Sequence, residues 1–443
     1  MAMLGVIGLL GALVLLVILA YKGLHIIAVS LICSLFVIFT NQLPIWDTLS
    51  NGYMGFLKNF VGSYLLMFFL GAVFGELIGQ SGAARSISFK IIDLFGPAKA
   101  ILVVILATTI LSYGGVSVFV IIFAIYPIGL FLFKEADVNK KLLPATVLLG
   151  SGAYVLTTVP GTPALPNVIP TNPIYHLGTN LYAAPVVSII ATIVMFVSGY
   201  LYLLWADRRY RSRNEGFVPS PGDVIEELTP ETRAKLPSCT LSLLPIIVLI
   251  AVIFFTKSVL PAMAGVCLAL LSGVVLSCIV FFPQLKPKFT TCLNTGAGGS
   301  ILAIINTASV VGFGGVVQTA PAFQSFVKFA SELDFNPLVS TAIAVNVVAG
   351  ITGSSSGGTT IFMNSMSEIF MQMGTINPEV FHRIVAISSG CLDSLPHSGA
   401  IITFLVITKL THKQAYSHMG MVTCVVPMLG LIAAIIAGSM GLV

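Results

Sequence analysis

Thr352-Gly353-Ser354-Ser355-Ser356-Gly357-Gly358-Thr359-Thr360 sits in the middle of an otherwise apolar stretch, residues 336–371. A run of small, mostly hydroxyl-bearing residues does not belong in the middle of a membrane-crossing helix. The limbs on either side, about 15 to 19 residues each, include some too short at 1.5 Å per residue to cross a hydrocarbon layer of roughly 30 Å. A second apolar stretch, 97–133, is interrupted in the same way by Ser112-Tyr113-Gly114-Gly115-Val116-Ser117. Each stretch reads as a re-entrant helical hairpin whose tip turns back inside the bilayer.

Composition sets the solvent. Of 443 residues, 57% are hydrophobic and 8% charged, against roughly 25% charged in a soluble globular protein. Mean hydropathy is +1.03. An ordinary soluble enzyme is excluded, and the fold class is an all-α polytopic membrane protein whose first partner is the lipid bilayer. The formal charge of +5 is scattered between apolar stretches and implies no nucleic-acid partner. Cys33, Cys239, Cys267, Cys278, Cys292, Cys391 and Cys424 stand singly, with no CxxC pair and no clustering with His, so they read as small buried residues and no metal site is expected. Gly5 to Ala20 lacks a preceding basic region and reads as a first span rather than a signal peptide.

Full spans are placed at about 3–20, 24–41, 59–80, 140–158, 181–205, 240–256, 261–282, 296–318, 380–406 and 419–440. The positive-inside rule decides between hairpins and single crossings. With the loop carrying Arg208, Arg209, Arg211 and Arg213 in the cytoplasm and two hairpins, 17 of the 21 Lys and Arg fall inside, leaving Lys58, Lys257, Lys328 and Arg383 outside. Two single crossings give 13 against 8. The hairpin topology puts both termini outside and sets Trp46 and Trp205 at interfaces. Residues 206–238, with Pro219, Pro221 and Pro230 among mixed charges, form a cytoplasmic linker that divides the chain nearly in half.

The halves repeat one another. Val73-Phe74-Gly75-Glu76-Leu77-Ile78-Gly79-Gln80-Ser81-Gly82-Ala83 aligns with Gly312-Phe313-Gly314-Gly315-Val316-Val317-Gln318-Thr319-Ala320-Pro321-Ala322; Pro97 with Pro337; Gly114-Gly115 with Gly357-Gly358; and Gly150-Ser151-Gly152 with Ser388-Ser389-Gly390. Residues 1–205 form the first repeat (hairpin 97–133, broken span 140–170) and 239–443 the second (hairpin 336–371, broken span 380–406). Five crossings per half, an odd number, turn the second repeat upside down, the inverted-repeat plan of transporters.

Broken helices survive at membrane depth only where they line a cavity or pack in protein. Beyond the hairpin tips, Pro160, Pro163 and Pro166 break the first of these spans and Pro396 the second, each amid Thr, Ser and Gly. Four breaks are expected to converge near the midplane. The candidate substrate-binding residues are Ser112, Tyr113, Gly114 and Gly115 at the first tip; Thr157, Thr158, Gly161, Thr162 and Asn167 at the first broken span; Ser354, Ser355, Ser356, Gly357, Gly358 and Thr359 at the second tip; and Ser394, His397 and Ser398 at the second broken span. Half-helix N-termini with small hydroxyl residues suit a small organic anion, and carbonyl ends suit Na⁺. The competing reading of each patch is close helix packing by small residues.

Asp393 and His397, four apart, are the intramembrane ionisable pair and the candidate carriers of a coupling proton, against a static hydrogen-bonded pair as the alternative. Glu76, near the cytoplasmic end of its span, reads equally as snorkelling or as functional, and with Gly315 as its repeat mate it is not part of the symmetric core, whereas Glu368, His382 and Arg383 read as solvated near the outer surface. No intramembrane Arg or Lys is expected, so substrate charge is met by dipoles, hydroxyls and His397. GxSxG, HExxH and GxxxxGK[ST] are absent, so no enzyme and no ATP-driven pump is supported. An anion channel using the same loops, and an intramembrane hydrolase using Ser394 with His397, remain as rivals. No cofactor is expected beyond the coupling H⁺ or Na⁺.

Tyr113-Gly114-Gly115-Val116, Pro160-Gly161-Thr162-Pro163 leading to Ile169-Pro170-Thr171-Asn172, and Phe74-Gly75-Glu76 followed by Ser81-Gly82-Ala83-Ala84 resemble the gluconate permease family of the wider ion transporter superfamily, over most of the chain. The resemblance implies a symporter of the bacterial inner membrane for gluconate, related sugar acids, D-serine or 3-hydroxybutyrate. It also implies a homodimer working as an elevator, with 3–41, 181–205, 240–282 and 419–440 as scaffold and dimer interface. Two stretches depart from the gluconate-specific pattern. Pro160-Gly161-Thr162-Pro163 stands where His-Pro-Gly-Pro is expected, and Pro396-His397-Ser398-Gly399 where Asn-Asp-Pro-Gly is expected. A smaller, less hydroxylated monocarboxylate such as 3-hydroxybutyrate fits the apolar Val and Ala neighbours better than gluconate.

Overall fold

A computed structural model describes residues 2–113, 116–223, 236–256, 259–323, 325, 336–372 and 377–443. Among them every regular element is helical, as it must be where no water satisfies the backbone. Among the described residues eight helices are long and apolar enough to cross a membrane, or nine if a pair bent by 107° is counted as one span.

In chain order the first half holds α1 (Ala2–Tyr21), α2 (Ile26–Thr40), α3 (Ile45–Gln80), α4 (Ala83–Phe95), α5 (Ala100–Tyr113), α6 (Val118–Glu135), α7 (residues 143–157), α8 (Leu165–Val168) and α9 (Pro185–Arg211). The second holds α10 (Cys239–Thr256), α11 (Ala262–Val280), α12 (Phe282–Thr319), α13 (Pro337–Thr352), α14 (Ser355–Gln372), α15 (Pro378–Ser389), α16 (Gly399–Thr408) and α17 (His412–Ser439). The limb pairs α5/α6 and α13/α14 pack on each other as hairpins. At the second tip Gly353 takes φ +61°, and a Cβ on Gly358 would stand 2.6 Å from Ala349 Cα, so the tight turn and the close limbs both require glycine.

α3 and α12 form the central wall, packed along each other. α1 and α2 pair and pack through α2 on α12, whereas α10 and α11 pair and pack through α11 on α3. On the wall's other side α6 lies on α3 and α16 on α12, and α6 and α16 also touch. Beyond them α9 pairs with α17, with α9 against α7 and α17 against α15. Apolar rows such as Leu4, Ile7, Leu10, Val14 and Ile18 on α1 and Ile189, Ile193, Val197 and Leu201 on α9 are exposed, at the spacing of one helix face turned to lipid.

Several expectations change. α3 and α12 begin fourteen residues before the spans drawn at 59 and 296, because polar stretches such as Thr290-Thr291 and Asn294-Thr295 stay helical; α3 carries a π segment at Thr48–Tyr53. Residues 83–95, which the span reading left unassigned, form the amphipathic α4, bent across the start of the first hairpin. The first broken span does not resume as a helix of useful length. α7 ends at Thr157 and the next α-helix, α8, has four residues, since Pro160, Pro163, Pro166, Pro170 and Pro173 deny donors throughout. α9 and α17, grouped with the outer pairs by the family resemblance, pack on the broken spans.

The segment after α9 is not a loose connector. Gly216 and Phe217 lie on Asp137, whose Oδ1 accepts from the Phe217 N–H at 2.9 Å, and Asn139 donates to the Glu215 carbonyl at 3.0 Å. Asp223 is then inserted among Tyr126, Lys140 and Lys409. The rest of the segment, through 235, lies outside the described residues, as do Lys257 and Lys328.

Candidate functional site

The second hairpin tip and the second break meet. Residues 390–398 are turns, so the helical face that would align Asp393 with His397 does not persist. Asp393 Oδ1 instead accepts from the Ser394 hydroxyl at 2.7 Å, and its carboxylate faces the hydroxyl and N–H of Ser355, the first residue of α14. His397 points the other way. A Cβ on Gly353 would lie 3.1 Å from its Cδ2, and the Gly350 and Ile351 carbonyls face the ring. It is 1% exposed, yet neither ring nitrogen has a well-directed hydrogen bond among the described residues. Ser398, the residue before α16, donates to the Gly353 carbonyl at 3.1 Å and leaves the first N–H groups of α16 without a side-chain cap. The paired Asp393–His397 unit is therefore replaced by two separate groups, one at the start of α14 and one beside the start of α16.

Ser354 and Ser356 share a hydroxyl contact at 3.3 Å, and Gly357 N–H donates to Ser354 Oγ at 3.2 Å, closing the tip. Gly358 packs on α13, where it lets the two limbs of the hairpin approach closely. Thr359 is fully buried, and its hydroxyl has no partner among the described residues. Tyr416 of α17 donates to the Ser394 carbonyl at 3.2 Å. Thr307 of α12 meets Thr403 and the Gly399 carbonyl of α16. Sequence reading passed over Tyr416, Thr307 and Thr403; hydroxyls within apolar spans were the available signal.

The first half is arranged differently. Ser112 donates to the Ser151 carbonyl at 3.1 Å, Thr109 bonds Tyr154, and a Cβ on Gly150 would lie 2.4 Å from the Ile105 carbonyl oxygen, so the first hairpin packs on the π segment Leu149–Ala153 of α7. Tyr113 is 44% exposed and is not drawn in, and Gly114 and Gly115 lie outside the described residues. Thr158 accepts from Thr192 of α9 at 2.9 Å, Gly161 donates its N–H to the Leu181 carbonyl at 2.9 Å, and Thr162 is buried with an unpartnered hydroxyl. The two broken spans meet at Thr157, whose methyl would be 2.8 Å from a Cβ on Gly390.

Two expectations about charge are overturned. Arg383 and His382 are not solvated: both are 0% exposed, so a cation does sit within the bundle. His382 bridges Asn167 Oδ1 (3.1 Å) and Thr179 Oγ1 (2.9 Å), and Arg383 donates to the carbonyls of Thr157 (3.0 Å), Leu181 (3.3 Å) and Ala183 (3.0 Å). The backbones they brace lie some 200 residues away in sequence, so local pattern gave no sign of them. Lys140 is likewise buried, paired with Asp223. Glu368's side chain lies outside the described residues. Glu76 borders a separate cavity of about 480 Å³ between the central wall and α6/α16, with Gln80, Arg85, Tyr126 and Lys409 also on its walls. No cluster of metal-binding side chains occurs among the described residues.

The described residues thus form a helical membrane bundle in which two helical hairpins pack beside two interrupted helices and a set of buried hydroxyls. Residues 1–440 match the family described as GntP family permease, and the chain belongs to that family. It is 33% identical to the uncharacterized transporter YxjC of Bacillus subtilis, covering 94% of each chain. It is also 26% identical to an uncharacterized permease of Haemophilus influenzae, covering 75% of this chain and 70% of that one. The protein is a multi-pass membrane transporter, not an enzyme.

Proposed function

We propose that this permease carries a small organic anion, a hydroxy-monocarboxylate such as 3-hydroxybutyrate or gluconate, across the bacterial inner membrane together with H⁺ or Na⁺. The observation that carries the reading is the meeting of the α14 and α16 N-termini beside a buried His397 whose ring nitrogens have no well-directed hydrogen bond among the described residues. Helix N-termini offer N–H groups and partial positive charge to a carboxylate, and a buried polar group without a partner calls for a ligand or water. Asp393 occupies the α14 end, which leaves the α16 end for the substrate.

That division gives a coupling rule. A carboxylate at α16 and an ionised Asp393 at α14 repel in a poorly solvated site. A proton on Asp393, or a Na⁺ beside it, lets both ends be filled at once, so substrate and cation enter together. Alternating access by two inverted repeats is supported by the repeated element order and by the exchange of partners, α2 on α12 and α11 on α3. In the elevator form of that reading the outer pairs and the α3/α12 wall are the scaffold, and a homodimer joins through their exposed apolar faces. The hairpins and broken spans travel with α9 and α17, and the cavity beside Glu76 lies in the sliding seam.

The test is uptake of labelled 3-hydroxybutyrate, gluconate and related acids into proteoliposomes under imposed pH or Na⁺ gradients. Accumulation of at least one monocarboxylate above its outside concentration, abolished when the gradient is collapsed, is expected. Accumulation of none of them would refute the proposal, and passive equilibration at channel-like rates would favour a pore.

A further inference from the structure

The breaks differ in what faces them. The second hairpin tip opens onto α14, the second broken span onto α16 and the first tip onto α6, each a helix of ten residues or more whose N-terminus carries partial positive charge. The first broken span has no counterpart. α7 ends at Thr157 and only the four-residue α8 follows, so the carbonyls of its last turn, the negative end of a half-helix, face the break. An anion brought there would be repelled.

Arg383 occupies that place. Its Nη1 takes the Thr157 carbonyl at 3.0 Å, and Nε and Nη2 take the Ala183 carbonyl at 3.2 and 3.0 Å and Leu181 at 3.3 Å. All these acceptors are neutral. Among the described residues no carboxylate forms an ion pair with it; Glu379, one turn earlier on α15, spends Oε2 on the Ala184 N–H at 3.0 Å. The guanidinium therefore keeps its full charge inside the bundle, and Thr157 alone separates it from Gly390 at the start of the second break. At the repeat offset that pairs Gly150-Ser151-Gly152 with Ser388-Ser389-Gly390, the first half has Ala145, so the charge is placed once and not by symmetry.

We propose that Arg383 is the fixed counter-charge of the transport site: it cancels the carbonyl end of α7 and gives the site its preference for an anion over an uncharged polar molecule of the same shape. This rests on the anion reading above. Arg383 does not touch the substrate in this arrangement but acts through the Thr157 backbone, as a positioning and specificity residue. A pure brace has the same hydrogen bonds, but it would affect charged and neutral ligands alike.

The experiment compares binding of each acid with that of its own amide, 3-hydroxybutyrate against 3-hydroxybutanamide and gluconate against gluconamide, by competition on the purified full-length protein. Wild type should prefer the acid. Arg383→Gln should reduce the acid-to-amide preference by about tenfold or more, as removal of a nearby charge in a poorly screened site requires, while Arg383→Lys should keep it within about threefold. If Arg383→Gln does not fold, the ratio is read on cell-free protein carrying citrulline, an uncharged isostere of arginine, at position 383. A wild type that prefers no acid over its amide overturns the anion reading and this proposal together. A wild type that does, with an unchanged ratio in the uncharged variant, overturns only the role of Arg383.

Discussion

Replacing Asp223 by Asn should destabilise the protein more than any other single change among residues 212–223 of the segment between the halves. Its carboxylate is fully buried, as is the Lys140 ammonium it pairs with. It also accepts from the Tyr126 hydroxyl at 2.9 Å and the Ser220 N–H at 2.7 Å, with Lys409 Nζ 3.9 Å away. Asn can still accept from Tyr126, but it leaves Lys140 charged and buried without a counter-ion. Breaking a buried pair from one side costs about 3–5 kcal/mol. Lys409 is 43% exposed, and losing its longer, water-screened contact in Lys409→Met should cost about 1 kcal/mol or less. The double variant Lys140→Met/Asp223→Asn removes both charges and should recover most of the loss. Equilibrium unfolding in mixed detergent micelles measures all of these. If Asp223→Asn unfolds at the wild-type midpoint, or the double variant is no more stable than Asp223→Asn alone, the segment is not anchored by this pair.

Other outcomes follow from the same geometry. Gly358→Ala should force α13 and α14 apart against the Ala349 backbone and cost about 1–3 kcal/mol as overpacking does, while Gly299→Ala, which meets nothing within 4 Å, should leave the thermal midpoint near wild type; equal midpoints for the two would show that the limbs are not closely packed. Asp393→Asn should abolish gradient-driven accumulation but spare counterflow exchange in proteoliposomes, and full gradient-driven uptake in that variant would remove Asp393 from coupling. His397→Ala should weaken carboxylate binding in equilibrium competition; wild-type affinity would remove the ring from the site.

The hairpins were legible because their cause is local: a glycine and hydroxyl patch in an apolar stretch has few places to go in a bilayer. Ser355, Ser398 and His397 drew attention for the same reason, since breaks in helices must line or pack something, and the structure places all three where the second tip meets the second break. The charged residues were misread where partners are remote. Glu379-Val380-Phe381-His382-Arg383 looks like the polar end of a span, and only the carbonyls at 157, 181 and 183 make burial of Arg383 tolerable. Asp223 likewise looked like one more charge in a polar connector, because its partners come from α6, the turn before α7 and the end of α16. The pairing of Asp393 with His397 failed on local geometry: Pro396 and the turns around it abolish the four-residue periodicity. The end of α7 at Thr157 and the four-residue α8 follow from Pro160, Pro163 and Pro166, which deny helical donors where the sequence reading placed the break.

The central claim is that substrate sits where the second hairpin tip meets the second break, and thiol protection tests it directly. On a background with the seven native cysteines replaced, Ser356→Cys, half-buried at the tip, and Lys22→Cys, exposed in the turn between α1 and α2, are labelled with a maleimide in the presence and absence of the carboxylate found to be transported. At ten times its Kd the ligand should slow labelling at 356 by about tenfold, in proportion to occupancy, and leave 22 unchanged. Equal labelling rates at 356 with and without saturating ligand would contradict the account.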